Sequence, residues 1–225
     1  MKKNSRSVLF LALLAASAAS PAQSPSPPAA SRPAPASSAP APGVSTSLLT
    51  HAFMTAIDRH CGNAYAGRVL VDTPATPDSP FAGKRLVMHV RDCGDDVVRI
   101  PFHVGEDHSR TWVFSRVSDG LRLKHDHRHE DGSPDAVTMY GGDSAGGRLT
   151  NKGMIRIEFP VDAESIASFK ANNLPASVVN TWAVELSQDR FVYELSRPNG
   201  RLFRVEFDLT TPIVPLPPPP WGTTP

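Results

Sequence analysis

The sequence predicts a mainly β protein: an antiparallel up-and-down barrel of about nine or ten strands with an N-terminal helix and one late helix, a sandwich being the alternative. Three observations carry that expectation. Segment after segment alternates apolar and polar residues, the period of a half-buried strand. The segments are separated by short turn signals such as Asp131-Gly132 and Pro198-Asn199-Gly200. Only two stretches show helical spacing. A sequential meander of this kind hides its edges best by closing on itself.

The first helical stretch runs from Ser47 to Cys61, where Leu49, Phe53, Ile57 and Cys61 fall at four-residue steps on one stripe. Ser45, Thr46 or Ser47 can cap its start and Gly62 its end. Strands are then expected at Arg68 to Asp72, Lys84 to Arg91 (Leu86, Met88 and Val90 inward), Val97 to Val104 (Val98, Ile100, Phe102 and Val104 inward) and Arg110 to Val117 (Trp112 and Phe114 inward). Ser118-Asp119-Gly120 turns that last strand into the histidine strand that starts at Gly120, and Asp131-Gly132-Ser133-Pro134-Asp135 is the next turn. A short return at Ala136 to Tyr140 and a glycine-punctuated loop precede Met154 to Val161. The second helix is expected from Ala163 to about Asn172, with Ile166 and Phe169 at helical spacing and Pro175 beyond its end. Three closing strands, Thr181 to Ser187, Arg190 to Ser196 and Arg201 to Leu209, complete the series.

The termini predict where the protein works. Lys2, Lys3 and Arg6 precede an apolar run from Val8 to Ala16 and the small residues Ala16-Ser17-Ala18, which together read as a signal peptide over residues 1–18. The run is shorter than the roughly 20 apolar residues of a membrane span, and no cysteine follows it to take a lipid anchor. The expected product is exported, periplasmic or secreted, without a membrane span. Residues 19–43 are almost wholly Pro, Ala and Ser, a composition that predicts a disordered spacer. Residues 215–225 repeat that character and predict a disordered tail, with an envelope partner for the Pro-rich segments conceivable through an aromatic groove. The single β-rich domain is expected over residues 44–214.

Without Lys2, Lys3 and Arg6 the 23 basic residues fall to 20, against 22 acidic ones. A near-neutral surface without a basic stripe argues against nucleic acid. Cys61 and Cys93 are the only cysteines. In an exported chain an isolated pair predicts a disulfide, here pinning the first helix to a hairpin tip. No nucleophile elbow, phosphate loop or dinucleotide motif is present.

The unusual chemistry lies in Gly120-Leu121-Arg122-Leu123-Lys124-His125-Asp126-His127-Arg128-His129. Leu121 and Leu123 set the inward parity, which carries His125, His127 and His129 inside and leaves Arg122, Lys124, Asp126, Arg128 and Glu130 on a solvated face. Neighbouring imidazoles on such a strand can share an ion, so His125, His127 and His129 are candidate ligands for zinc or another divalent transition metal, completed by His89, His103, His108 or Asp143 from elsewhere. The alternative is a metal-free lining of a barrel mouth. Trp112, Phe114 and Tyr140 are candidate contacts for a small-molecule ligand.

The order of elements over Val44 to Val214 resembles the calycin or lipocalin-like β-barrels, which implies a barrel able to hold a small ligand. The stretch from His125 to Asp143 looks like that of uncharacterised exported bacterial proteins, a resemblance that implies no activity. Gly120, His125, His127 and Glu130 resemble the cupin motif of a barrel strand, which would imply a metal-dependent enzyme, a zinc hydrolase being the related possibility; Glu130, however, falls on the outer parity. The expected function is binding of a small ligand or divalent metal by an exported barrel, leaning away from catalysis. The alternatives are that metal-dependent enzyme and an envelope interaction module without pocket chemistry.

Overall fold

The computed structural model describes residues 45–75 and 79–223; the signal peptide, the spacer and Val44 lie outside the described residues. Helix α1 spans Thr46–Asp58. The strands are β1 (Ala64–Thr73), β2 (Leu86–His89), β3 (Asp92–Cys93), β4 (Val97–Val104), β5 (Asp107–Val117), β6 (Gly120–His127), β7 (Tyr140–Asp143), β8 (Gly147–Leu149), β9 (Ile155–Pro160), β10 (Thr181–Leu186), β11 (Arg190–Ser196) and β12 (Leu202–Asp208). Helix α2 (Ala163–Ala171) and a 3-10 turn (Pro175–Val179) link β9 to β10.

All the strands form one antiparallel sheet in the order β7-β6-β5-β4-β2-β1-β12-β11-β10-β9-β8, with β3 paired beside β4. Neighbours in space are neighbours in sequence almost throughout, as the run of hairpins predicted. β1 joins the two halves by pairing with both β2 and β12.

The seam is made by the glycine-rich stretch expected to be only a loop. Its first half pairs with β6, Lys124 opposite Gly141 and Arg122 opposite Asp143. Its second half pairs with β9, Gly147 opposite Ile157. Between them the Asp162 amide donates to the Gly141 carbonyl at 2.9 Å and the Ala145 amide to the Glu158 carbonyl at 3.0 Å. β7 and β8 are thus two halves of one bent stretch lying between β6 and β9, and the sheet curls shut as an up-and-down barrel. Glycine is required by proximity: a Cβ on Gly142 would stand 1.8 Å from the Pro160 carbonyl oxygen. Sequence reasoning missed this strand because glycine carries no apolar alternation to read.

Inside, Phe53, Ile57, Phe114, Leu121, Leu123, Phe159, Val184, Phe191, Val205 and Phe207 are all buried. α1 closes one end: Leu49, Phe53, Met54 and Ile57 face the strands, and the Phe53 and Phe114 rings lie 5.2 Å apart. The Cys61–Cys93 disulfide ties the chain just after α1 to β3, with Cα atoms 6.1 Å apart. α2 starts at Asp162, whose carboxylate accepts from the Ser165 amide at 2.8 Å, the expected N-cap. No helix among the described residues is long and apolar enough to cross a membrane.

Two outer-wall features depart from the sequence reading. Lys124 was expected in solvent. It is instead covered by the start of α2, with Nζ 2.7 Å from the Asp162 carboxylate and 3.2 Å from Glu164. The C-terminal tail was expected to be disordered, but Ile213, Pro220 and Trp221 are held against the barrel. The Ile213 amide donates to the Ala64 carbonyl at 2.8 Å and the Trp221 amide to the His108 carbonyl at 3.0 Å, while Pro220 is buried. Extended polyproline needs no ladder partner, and a single aromatic residue can anchor it.

Candidate functional site: an aromatic cavity at the open end of the barrel

The end opposite α1 is not filled. β4, β5 and β6 bring Phe102, Trp112 and His125 to one side, and β10, β11 and β12 bring Trp182, Tyr193 and Phe203 to the other. The cavity between them measures about 390 Å³, at the lower end of the range for small-molecule sites. Val137, Tyr140, Phe169 and Leu174 complete its wall from the β6–β7 loop, the start of β7, α2 and the segment after it.

The floor is a stack of rings. Trp112 lies against Phe102 (4.8 Å between centroids, 15° between planes) and Tyr193 (4.6 Å, 20°). Tyr140 stacks on His125 at 4.8 Å and 10°, and Trp182 approaches His125 at 5.0 Å. Offset rings packed this way hold one another in place, so the surface offered to a ligand is rigid and flat-sided.

His125 has its tautomer fixed by its neighbours. Nδ1 lies 3.1 Å from the Tyr140 carbonyl, which can only accept, so Nδ1 carries the proton. Nε2 is then the acceptor and the Tyr193 hydroxyl, 2.8 Å away, donates to it. The ring is 5% exposed. Burial pushes its pKa down to about 3, with smaller contributions from His127 and Lys124. Burial also lowers the pKa of His127, which lines the cavity opposite Arg110 in the β5–β6 pairing. The hydroxyls are held neutral in the same way, Tyr140 being raised to about 12 and Tyr193 also raised.

The three expected ligand histidines are not brought together. β6 ends at His127, so alternation stops there and His129 turns outward, its Nε2 lying 4.0 Å from the Asp135 carboxylate. A metal at His125 would have to displace the Tyr193 hydroxyl from Nε2. Among the described residues the one trio of ligand-type donors within 4.8 Å of one another is Asp58, Cys61 and Cys93, whose two sulfurs are bonded to each other. At the histidine strand, among the described residues, no such trio of donors forms around His125 and His127. A cupin-type site fares no better, because Glu130 lies exposed beyond the end of β6.

Of the expected ligand contacts, Trp112 and Tyr140 line the cavity. Phe114 does not: two residues further along β5, it packs under α1. Trp182 and Tyr193 lie in the strands expected at Thr181 to Ser187 and Arg190 to Ser196, but nothing in the sequence showed that their strand ends meet Trp112 and His125. The mouth was missed altogether. It carries Arg110, Arg197, Arg201 and Asp135 beside Ser177 and Asn180, and their signal would have been polar residues at the same end of several strands.

A second histidine cluster lies by the docked tail. His103 and His108 are joined Nδ1 to Nδ1 at 2.8 Å, and the His108 ring stands 6.3 Å from Trp221. His103 is 2% exposed. Burial, together with His108, His89 and Arg91, lowers its pKa to about 4 against an opposing pull from Asp107.

Compared with protein-family models, with curated proteins and with solved structures, the chain matches none.

Proposed function

We propose that the protein is an exported binding protein that holds a small, largely apolar molecule in the open end of its barrel. The observation that carries this reading is the cavity of about 390 Å³ walled by Phe102, Trp112, Tyr140, Trp182 and Tyr193. Its floor is aromatic and its charged groups are gathered at the mouth, the composition of a small-molecule site. His125 is neutral and internally satisfied, so it shapes the floor. Export is supported by the leader-like N-terminus and by the disulfide, which persists in oxidising compartments.

The test is a titration with N-phenyl-1-naphthylamine, an uncharged fluorescent probe, read through energy transfer from the tryptophans, of which Trp112 and Trp182 line the wall. Saturable binding tighter than about 10 μM, on the order of −7 kcal/mol, is expected. Val137→Trp, which adds bulk at the mouth from a loop and leaves the barrel strands alone, should weaken it about tenfold. Failure to saturate, or equal binding by the variant, would remove the cavity from consideration.

A further inference from the structure

Resting on the reading of this cavity as the binding site, we propose that its ligand is an acid: an apolar body lying on the aromatic floor and a carboxylate, sulfonate or similar anion received by Arg197 at the mouth. Three guanidiniums line the cavity, and two of them already have acids. Arg110 is paired with Asp107. Arg201 is paired with Asp72, donates to the Thr73 carbonyl at 3.1 Å and sits 5.9 Å from the Phe203 ring centre.

Arg197 is different. Among the described residues no carboxylate lies within 4.0 Å of it. Its partners are neutral: Nε donates to the Asn180 side-chain oxygen at 2.6 Å and Nη2 to the Ser177 hydroxyl at 3.4 Å. Those two contacts aim the fork without neutralising it. The one carboxylate in the lining, Asp135, is occupied elsewhere: it accepts from the Val137 amide at 2.7 Å, lies 4.0 Å from His129, and among the described residues has no guanidinium within 4.0 Å.

The β11–β12 hairpin makes the arrangement rigid. The Arg197 amide donates to the Arg201 carbonyl at 2.9 Å, which holds the two arginines on the same part of the rim. Burial and the Arg201 charge both lower the Arg197 pKa, so its positive charge is held at a cost that an incoming anion would relieve. A guanidinium with fixed neutral partners and a free edge suits an oxyanion, which it can meet with two parallel N–H donors. The distribution of groups then sets the pose, with rings inside and the acid at the rim.

The experiment compares two probes that differ only in charge: 8-anilinonaphthalene-1-sulfonate, and N-phenyl-1-naphthylamine, the same body without the sulfonate. At low salt the sulfonate should bind the full chain about tenfold tighter, and the preference should shrink as salt rises. Arg197→Met should abolish the preference, bringing the ratio of the two affinities to about one, and a native-like near-ultraviolet circular dichroism spectrum shows that the variant is folded. Arg197→Lys should keep part of it. Equal binding of the two probes by the native protein, or a preference that survives Arg197→Met, overturns the acid proposal and leaves the cavity reading intact. If neither probe binds, both fall together.

Discussion

Lowering the pH from 7.5 to 5 should remove at least about 4 kcal/mol from the stability of the fold, the amount that two buried histidines supply by themselves. His125 and His103 are held neutral, with pKa values of about 3 and about 4 against 6.5 for a solvated imidazole. Their folded pKa values lie below the unfolded one, so the unfolded chain binds more protons. The stability they contribute is therefore complete above about pH 6.5, is lost as pH falls below it, and stops falling only near the folded values. At pH 5 each unfolded imidazole gains about 2 kcal/mol by protonation that the folded one forgoes. His60, His89 and His127, whose pKa values burial also lowers, act in the same direction. Carboxylates do not confuse this window. Asp72, Asp107, Asp143 and Asp162 all have lowered pKa values, so what they contribute is lost only as pH falls through about 4 and below. Urea unfolding at half-unit steps from pH 7.5 to 5 would give the slope, and a total stability in the usual range of about 5 to 15 kcal/mol makes such a loss conspicuous. His125→Gln, stable or not, should lower the slope between pH 6 and 5 by about 1 kcal/mol per pH unit, the share of one imidazole. A flat profile over that window, or an unchanged slope in the variant, would refute the assignment of these rings as neutral and buried.

Four further outcomes follow from the packing. Gly142→Ala should open the seam, because its Cβ would stand 1.8 Å from the Pro160 carbonyl oxygen; a loss of about 3 kcal/mol or more in urea unfolding and faster amide exchange along β9 are expected. Cys61→Ala or Cys93→Ala should each cost about 3 to 4 kcal/mol, the loop-closure value for a separation of 32 residues, and reduction of the native protein should have the same effect. Glu194→Gln should cost about 1 to 3 kcal/mol by thermal unfolding, since that buried carboxylate meets Arg156 at 2.8 Å and also pairs with Arg204 on the outer wall, while Arg156 keeps Glu158 and Glu185 and Arg204 keeps Glu185. Trp221→Ala should free the tail and speed amide exchange at the N-terminal end of β5 while leaving binding in the cavity unchanged.

The sequence by itself determined the local structure wherever a repeating pattern exists. The stripe Leu49, Phe53 and Ile57 gave α1, which stops at Asp58 short of the expected Cys61, the alternation around Val98, Ile100 and Phe102 gave β4, and Asn199-Gly200 gave the last hairpin, because each pattern is imposed by the geometry of a single element. It also determined the disulfide, since only two cysteines are present to pair. Leu121, Leu123 and His125 were placed inside correctly by parity alone. Parity failed at His129, where β6 had already ended, and it could not say how far along the barrel axis each inward residue sits. That depth separates Phe114, sealed under α1, from Trp112 on the cavity floor, and it is set by the register of β5 between β4 and β6. The seam, the docked tail and the Arg197 mouth depend on contacts between residues distant in sequence: Gly142 with Pro160, Trp221 with His108, and Arg197 with Asn180. Such contacts leave no period in the chain, so only the closed barrel decided them.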